Sequence, residues 1–211
     1  MSTLANLGEL VVAGNESGVV EAVNAMVADK ADPVAIINEG LLSGMNVVGE
    51  KFKNGEMFVP EVLMAARAMK GALDLLKPQM KGAASHSLGK VVIGTVKGDL
   101  HDIGKNLVAS MLEGCGFEVI NLGTDISSER FINALKENRA QILCLSALLT
   151  TTMNYMQEVI DALEQNGIRS QVKVMIGGAP VSESFARQIG ADGYSDNANA
   201  AVSLAKSLLS A

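Results

Sequence analysis

The sequence predicts an α/β protein in two parts, a four-helix bundle followed by a five-stranded parallel sheet with helices on both faces. Three observations carry this reading. Residues 1–80 hold apolar side chains at intervals of three and four, the helical period, with stop signals between the runs. Residues 90–211 alternate short strand-like runs with amphipathic helical segments, as parallel strands joined by crossover helices do. Between them, 81–89 (KGAASHSLG) turns small and polar without an apolar period, the composition of a linker.

Taken in order, a first helix covers about Thr3 to Ala13. Asn15 can cap a second, running to about Lys30, and Asp32 followed by Pro33 is a strong start for a third. That third helix carries Ile36, Ile37, Leu41, Met45, Val48 and Phe52. A fourth begins at Pro60 and presents Leu63, Ala66, Met69, Leu73 and Leu76 before Pro78 ends it. Short connections and one apolar face per helix imply a bundle. The strand-like runs follow at 91–96, 117–122, 141–146, 172–176 and about 192–194. Five such strands suggest the flavodoxin-like order 2-1-3-4-5, in which ligands sit beyond the C-terminal strand ends near the switch point between strands 1 and 3.

Composition narrows the function classes. The 211 residues include 17 basic and 23 acidic side chains for a net charge of −6, and no Lys/Arg block offers the footprint that a phosphate backbone needs. Nucleic acid is therefore not an expected partner. Cys115 and Cys144 belong to no ligand cluster and read as reduced core thiols of a cytoplasmic protein. Met1 to Leu10 lacks the basic-then-apolar pattern of a secretory signal. The uncharged stretch 140–157 is broken by Ser146, Thr150, Thr151, Thr152 and Asn154, so it reads as a core strand and polar loop rather than a membrane span. The eleven methionines fit ordinary core filling, with a soft partner groove as the alternative.

The segment Gly98-Asp99-Leu100-His101-Asp102-Ile103-Gly104 falls at the expected ligand face. A histidine flanked by carboxylates can be a metal ligand, a general base or a solvated surface residue. The Asp99-x-His101 spacing lets a carboxylate hold one imidazole nitrogen while the other binds a metal. One histidine cannot build a zinc site, but it can be the sole protein ligand of a metal held in a macrocycle.

D-x-H-x-x-G, then SxL, then GG resembles the signature of the cobalamin-binding domain of methionine synthase, mutases and corrinoid methyl carriers. The spacings agree with that family: forty-one residues (105 to 145) separate Gly104 from Ser146, and twenty-eight (149 to 176) separate Leu148 from Gly177. The resemblance implies cobalamin bound base-off and histidine-on, with His101 as the lower axial ligand of cobalt and Asp99 orienting its ring. It further implies cofactor contacts from Gly98, Leu100, Asp102, Gly104, Ser146, Leu148, Thr150, Thr152, Gly177, Gly178 and Ala198. Thr152 takes the position that joins the His/Asp network, and Ser146 and Thr150 face the nucleotide. Capping of the next helix is the alternative for the threonines, and a plain turn for the glycines.

The segment GMNVVGEKFKNGEMFVPEVLMAARAMK, Gly44 to Lys70, resembles the cap of methionine synthase and of corrinoid proteins in methylamine, methanol, betaine and aryl methyl ether metabolism. By that resemblance Phe52 and Val59 align with positions covering the upper cobalt face, with Met45 and Met57 as neighbours; bundle core is the alternative for Met45. A cap (1–80), linker (81–89) and cobalamin-binding domain (90–211) together imply a methyl carrier. It would accept a methyl group on Co(I) from a substrate:corrinoid methyltransferase and donate it to a second methyltransferase acting on tetrahydrofolate, tetrahydromethanopterin or a thiol. A reductive activase is a further partner in such systems. A cobalamin-dependent sensor is the alternative class, and a cobalt-free binding module the third.

Overall fold

The computed structural model describes residues 3–76 and 87–210. Its contacts divide the chain into two compact units, one of residues up to Ser87 together with Glu113–Gly116, the other of Leu88–Leu112 together with Phe117 onward. Residues 81–86 of the expected linker, and the helix-ending Pro78, lie outside the described residues.

The N-terminal unit is helical. Helix α1 (Leu4–Val12) is capped by Thr3, whose hydroxyl accepts from the Asn6 amide, and α2 (Glu16–Ala28) by Asn15, whose side chain accepts from Gly18. Asp32 caps the next run by accepting from Val34, with Pro33 in the first turn, where its missing N–H costs nothing. The third helix departs from expectation. It begins as α3 (Pro33–Ala35), widens into a π-helical stretch, Ile36–Leu42, and resumes as α4 (Ser43–Lys53). The Ser43 hydroxyl lies within hydrogen-bonding distance of the Glu39 and Gly40 carbonyls, at 2.6 and 2.9 Å. Helix α5 (Val59–Leu76) starts one residue before Pro60. Leu7, Val11, Val19, Val23, Ile36, Leu41, Val48, Met69 and Leu76 are buried in this unit.

The second unit is a doubly wound sheet in the expected order β2-β1-β3-β4-β5, every neighbouring pair parallel. Its elements in sequence are β1 (Lys90–Thr95), α6 (Ile103–Gly114), β2 (Glu118–Asn121), α7 (Ser128–Asn138), β3 (Ile142–Ser146), α8 (Asn154–Gln165), β4 (Lys173–Gly177), α9 (Glu183–Ile189), β5 (Gly193–Ser195) and α10 (Ala198–Ser210). The central strands are buried on both faces and so read as unbroken apolar runs. Val92, Leu143, Leu145, Val174 and Ile176 meet Phe131 of α7 and Met156, Val159 and Leu163 of α8 in one core. Among the described residues no helix is long and apolar enough to cross a membrane.

Candidate functional site

Sheet register places the candidate residues together. Thr95 pairs with Ser146, Ser146 with Gly177 and Gly177 with Ser195, so the last residues of β1, β3, β4 and β5 form one row at the C-terminal edge. The loops that leave this row carry nearly every predicted site residue of the second unit.

Asp99 is the hub. It is fully buried in the loop after β1, yet its carboxylate is saturated with donors. Oδ2 accepts from the Leu148 amide at 2.7 Å, from the Leu149 amide at 3.2 Å and from the Thr152 hydroxyl at 2.8 Å. Oδ1 faces the His101 amide at 3.1 Å and the His101 ring Nδ1 at 2.7 Å. Burial works against the charge, but the amides of Leu148 and His101, the imidazole and the Thr152 hydroxyl outweigh it, and the carboxyl is held well below the usual carboxylate range. The loop after β1 and the loop after β3 are thereby tied to one anion.

The consequence for His101 is directional. An ionised carboxylate only accepts, so the imidazole nitrogen facing it carries a proton, and in the neutral ring Nε2 is the nitrogen that keeps its lone pair. The His101 carbonyl accepts at 2.8 Å from the hydroxyl of Thr95, a fully buried residue at the end of β1 that sequence reasoning did not single out. Its backbone and Nδ1 are thus fixed, while the side chain stays half exposed at 51%. Large aliphatic side chains in these two loops and at the start of α6 are left exposed: Leu100 at 73% and Ile103 at 87%, with Leu148 and Leu149 exposed as well. Among the described residues no three His, Cys, Asp or Glu side chains gather as a metal cage. A metal on Nε2 would take its remaining ligands from a cofactor, to which the exposed Leu100, Ile103, Leu148 and Leu149 would offer apolar surface.

The first turn of α6 braces the loop from the other side. Asp102 accepts from the Asn106 side chain at 2.8 Å, and the buried Lys105 ammonium donates to Asn106 and, at 2.7 Å, to Asn121 at the end of β2. Burial pushes the Lys105 ammonium below its ordinary value, against a smaller opposing effect of the Asp102 charge. Neither Lys105 nor Asn121 was predicted, because a lysine in a helical run reads as a solvated side chain.

The remaining predicted residues divide. Gly98 adopts φ +78°, a left-handed conformation that glycine takes without strain. Gly104 has open space where a Cβ would stand. Ser146 is half-buried in the row of strand ends, Thr150 is exposed and outside the Asp99 network, and Ala198 is buried in the first turn of α10. At Gly178, φ is +129° and a Cβ would overlap the carbonyl oxygen of Ala147. The requirement for glycine there comes from the neighbouring loop of this chain. In the helical unit Met45 is packed in the core, Phe52 is half-buried and Val59 is exposed.

Comparison with known proteins adds a family. Residues 89–203 match a model described as a B12 binding domain, and residues 3–77 match a second model of the same description. A corrinoid protein of Desulfitobacterium hafniense is 44% identical over 99% of this chain and 98% of its own. Dimethylamine corrinoid protein 1 of Methanosarcina acetivorans is 49% identical, over 84% of each chain. The crystal structure of a methanol:cobalamin methyltransferase complex from Methanosarcina barkeri contains a chain 34% identical, with a TM-score of 0.86, over 97% of this chain and 78% of that one.

Proposed function

This chain belongs to the B12-binding corrinoid protein family, and from that premise we propose that it is a cytoplasmic methyl carrier that binds a corrinoid at the C-terminal edge of its sheet, base-off and with His101 as the lower ligand of cobalt. The observation that carries the reading is the pairing of His101 with Asp99 at 2.7 Å through Nδ1, which leaves Nε2 of a half-exposed ring free of that buried anion. Its place among dimethylamine and trimethylamine corrinoid proteins, and its likeness to a chain of a methanol:cobalamin methyltransferase complex, support the carrier role.

A bound corrinoid would supply a cobalt centre that can hold and release a methyl group as its oxidation state changes. The chain's own work is to place and tune. Asp99 fixes the imidazole tautomer and raises the basicity of Nε2. Thr95 and the Asp99 oxygens hold the His101 backbone, so little ring ordering is left for binding to bring about. Leu100, Ile103, Leu148 and Leu149 offer apolar surface that a macrocycle would cover. Ser146 and Thr150 are assigned to the nucleotide tail. The partners on this reading are a substrate:corrinoid methyltransferase, a second methyltransferase that removes the methyl group, and a reductive activase.

The test is an ultraviolet-visible spectrum after incubation of the full chain with hydroxocobalamin and removal of unbound cofactor. Wild type should retain corrin with a histidine-on, base-off signature, and His101→Ala should lose that signature. Folded wild type that retains no corrin overturns the reading.

A further inference from the structure

The Asp99/His101 pair does not hold its own geometry, because Asp99 sits in a loop whose backbone must first be placed. That placement comes from across the sheet edge. Past the end of β2, residues 122–126 run on beside β1: Thr95 donates to the Gly123 carbonyl, Ile126 donates to the Thr95 carbonyl at 3.0 Å, and Val96 bridges Ile126 in parallel. Asp125 stands in this extension at φ +57°, left-handed. Aspartate tolerates that conformation better than most residues, though not for free. There it bonds in both directions. Its carboxylate accepts from the Gly98 amide at 2.7 Å, and its own amide donates to the Asp99 carbonyl at 3.0 Å.

The Gly98-Asp99 dipeptide is therefore gripped at its two outer ends, the Gly98 N–H and the Asp99 C=O, by one residue. Asp99 N–H closes a turn onto the Val96 carbonyl at 3.2 Å, so the Gly98 N–H, the Asp99 N–H and the Asp99 C=O are each bonded within the fold. With the backbone of Asp99 fixed, its buried carboxylate can reach His101, Leu148 and Thr152 at once.

We propose that Asp125 is a positioning residue for the cofactor site: by clamping Gly98 and Asp99 it aims the Asp99 carboxylate at His101 and so sets the imidazole that would ligate cobalt. The inference rests on the proposed corrinoid function, but its first readout does not need the cofactor. Asp125 is itself exposed, so its side chain can be removed without opening the core. Asp125→Gly is the informative deletion, since it keeps the left-handed backbone and the amide bond to Asp99 and loses only the carboxylate. Asp125→Asn keeps an acceptor oxygen and the tolerance for φ +57°.

Full-length apoprotein labelled with 15N in its imidazoles should show His101 as a single tautomer protonated at Nδ1 in wild type and in Asp125→Asn, but as a mixture of tautomers in Asp125→Gly. Titrated with hydroxocobalamin, Asp125→Gly should bind about tenfold more weakly, the lower end of what loss of an outer-shell partner costs a metal site. Part of its bound cofactor should lack the histidine-on spectrum, and Asp125→Asn should restore both properties. Unchanged His101 signals and unchanged affinity in Asp125→Gly overturn the proposal. So does an Asn variant that behaves like Gly. Wild type that fails to bind hydroxocobalamin would end the proposed function while leaving the imidazole spectra to decide on Asp125.

Discussion

Thr152 stands fifty-three residues beyond Asp99 in the chain, yet its hydroxyl lies 2.8 Å from the buried Asp99 carboxylate, on the opposite oxygen from His101. One anion thus couples the first turn before α8 to the loop that precedes α6. The Thr152 hydroxyl also lies 2.9 Å from the Leu149 carbonyl, and its single proton goes to the charged acceptor. Thr152→Val keeps the shape and removes the donor. We expect it to cost about 2 kcal/mol, the usual worth of a hydrogen bond to a charged group, measured by urea denaturation. A loss below a few tenths would mean that the backbone amides of Leu148 and Leu149 satisfy Asp99 without it.

Acid should reveal the same anion. The folded state holds the Asp99 carboxyl below its usual range, whereas the unfolded chain titrates near the ordinary value of about 3.9. A depressed carboxylate contributes stability in full above the unfolded pKa and loses it as pH falls through the folded value. Wild type should therefore exceed Asp99→Asn in unfolding free energy at about pH 7, and the gap should narrow steadily below about pH 4. A gap independent of pH across that span would show that Asp99 is not ionised in the fold.

How much of this was legible in the chain depended on whether the feature was periodic or local. The strand order followed from alternating apolar runs, and those runs are uninterrupted because β1, β3 and β4 are covered on both faces. The Asp99-x-His101 pair was legible because its spacing is itself the geometry. The π-helical stretch was not, since apolar residues at 36, 37, 41, 45 and 48 suit either hydrogen-bond pattern. Thr95 reads as an ordinary strand residue and Asp125 as an ordinary turn residue. What each does depends on a loop folding back across the strand end, which neither residue's neighbours in sequence disclose.

A buried thiol gives a check on the packing of the second unit. Burial pushes Cys144, in the middle of β3, up to about 12. It should not react with a thiol reagent such as dithionitrobenzoate in native protein at about pH 8, and should react after unfolding in denaturant. Rapid labelling of the native protein would mean that this unit opens far more readily than a core strand should.

Two glycines separate what the fold needs from what a ligand would need. At Gly178 an added methyl would overlap the Ala147 carbonyl, and φ +129° is hostile to any L side chain. Gly178→Ala should therefore cost about 3 kcal/mol or more and lower the melting temperature whether or not a corrinoid is present. Gly104 presents the opposite case, with nothing within 4 Å of the position a Cβ would take. It lies in the first turn of α6, three residues beyond His101, on the exposed side of the loop. Gly104→Ala should leave the melting temperature of the apoprotein unchanged or slightly raised, because alanine is the better helix former by about 1 kcal/mol. If the corrinoid lies against this turn, the same methyl group should weaken hydroxocobalamin binding severalfold in a titration followed by absorbance. Undiminished binding by a stable Gly104→Ala protein would place the macrocycle away from the first turn of α6 and toward Leu148 and Leu149.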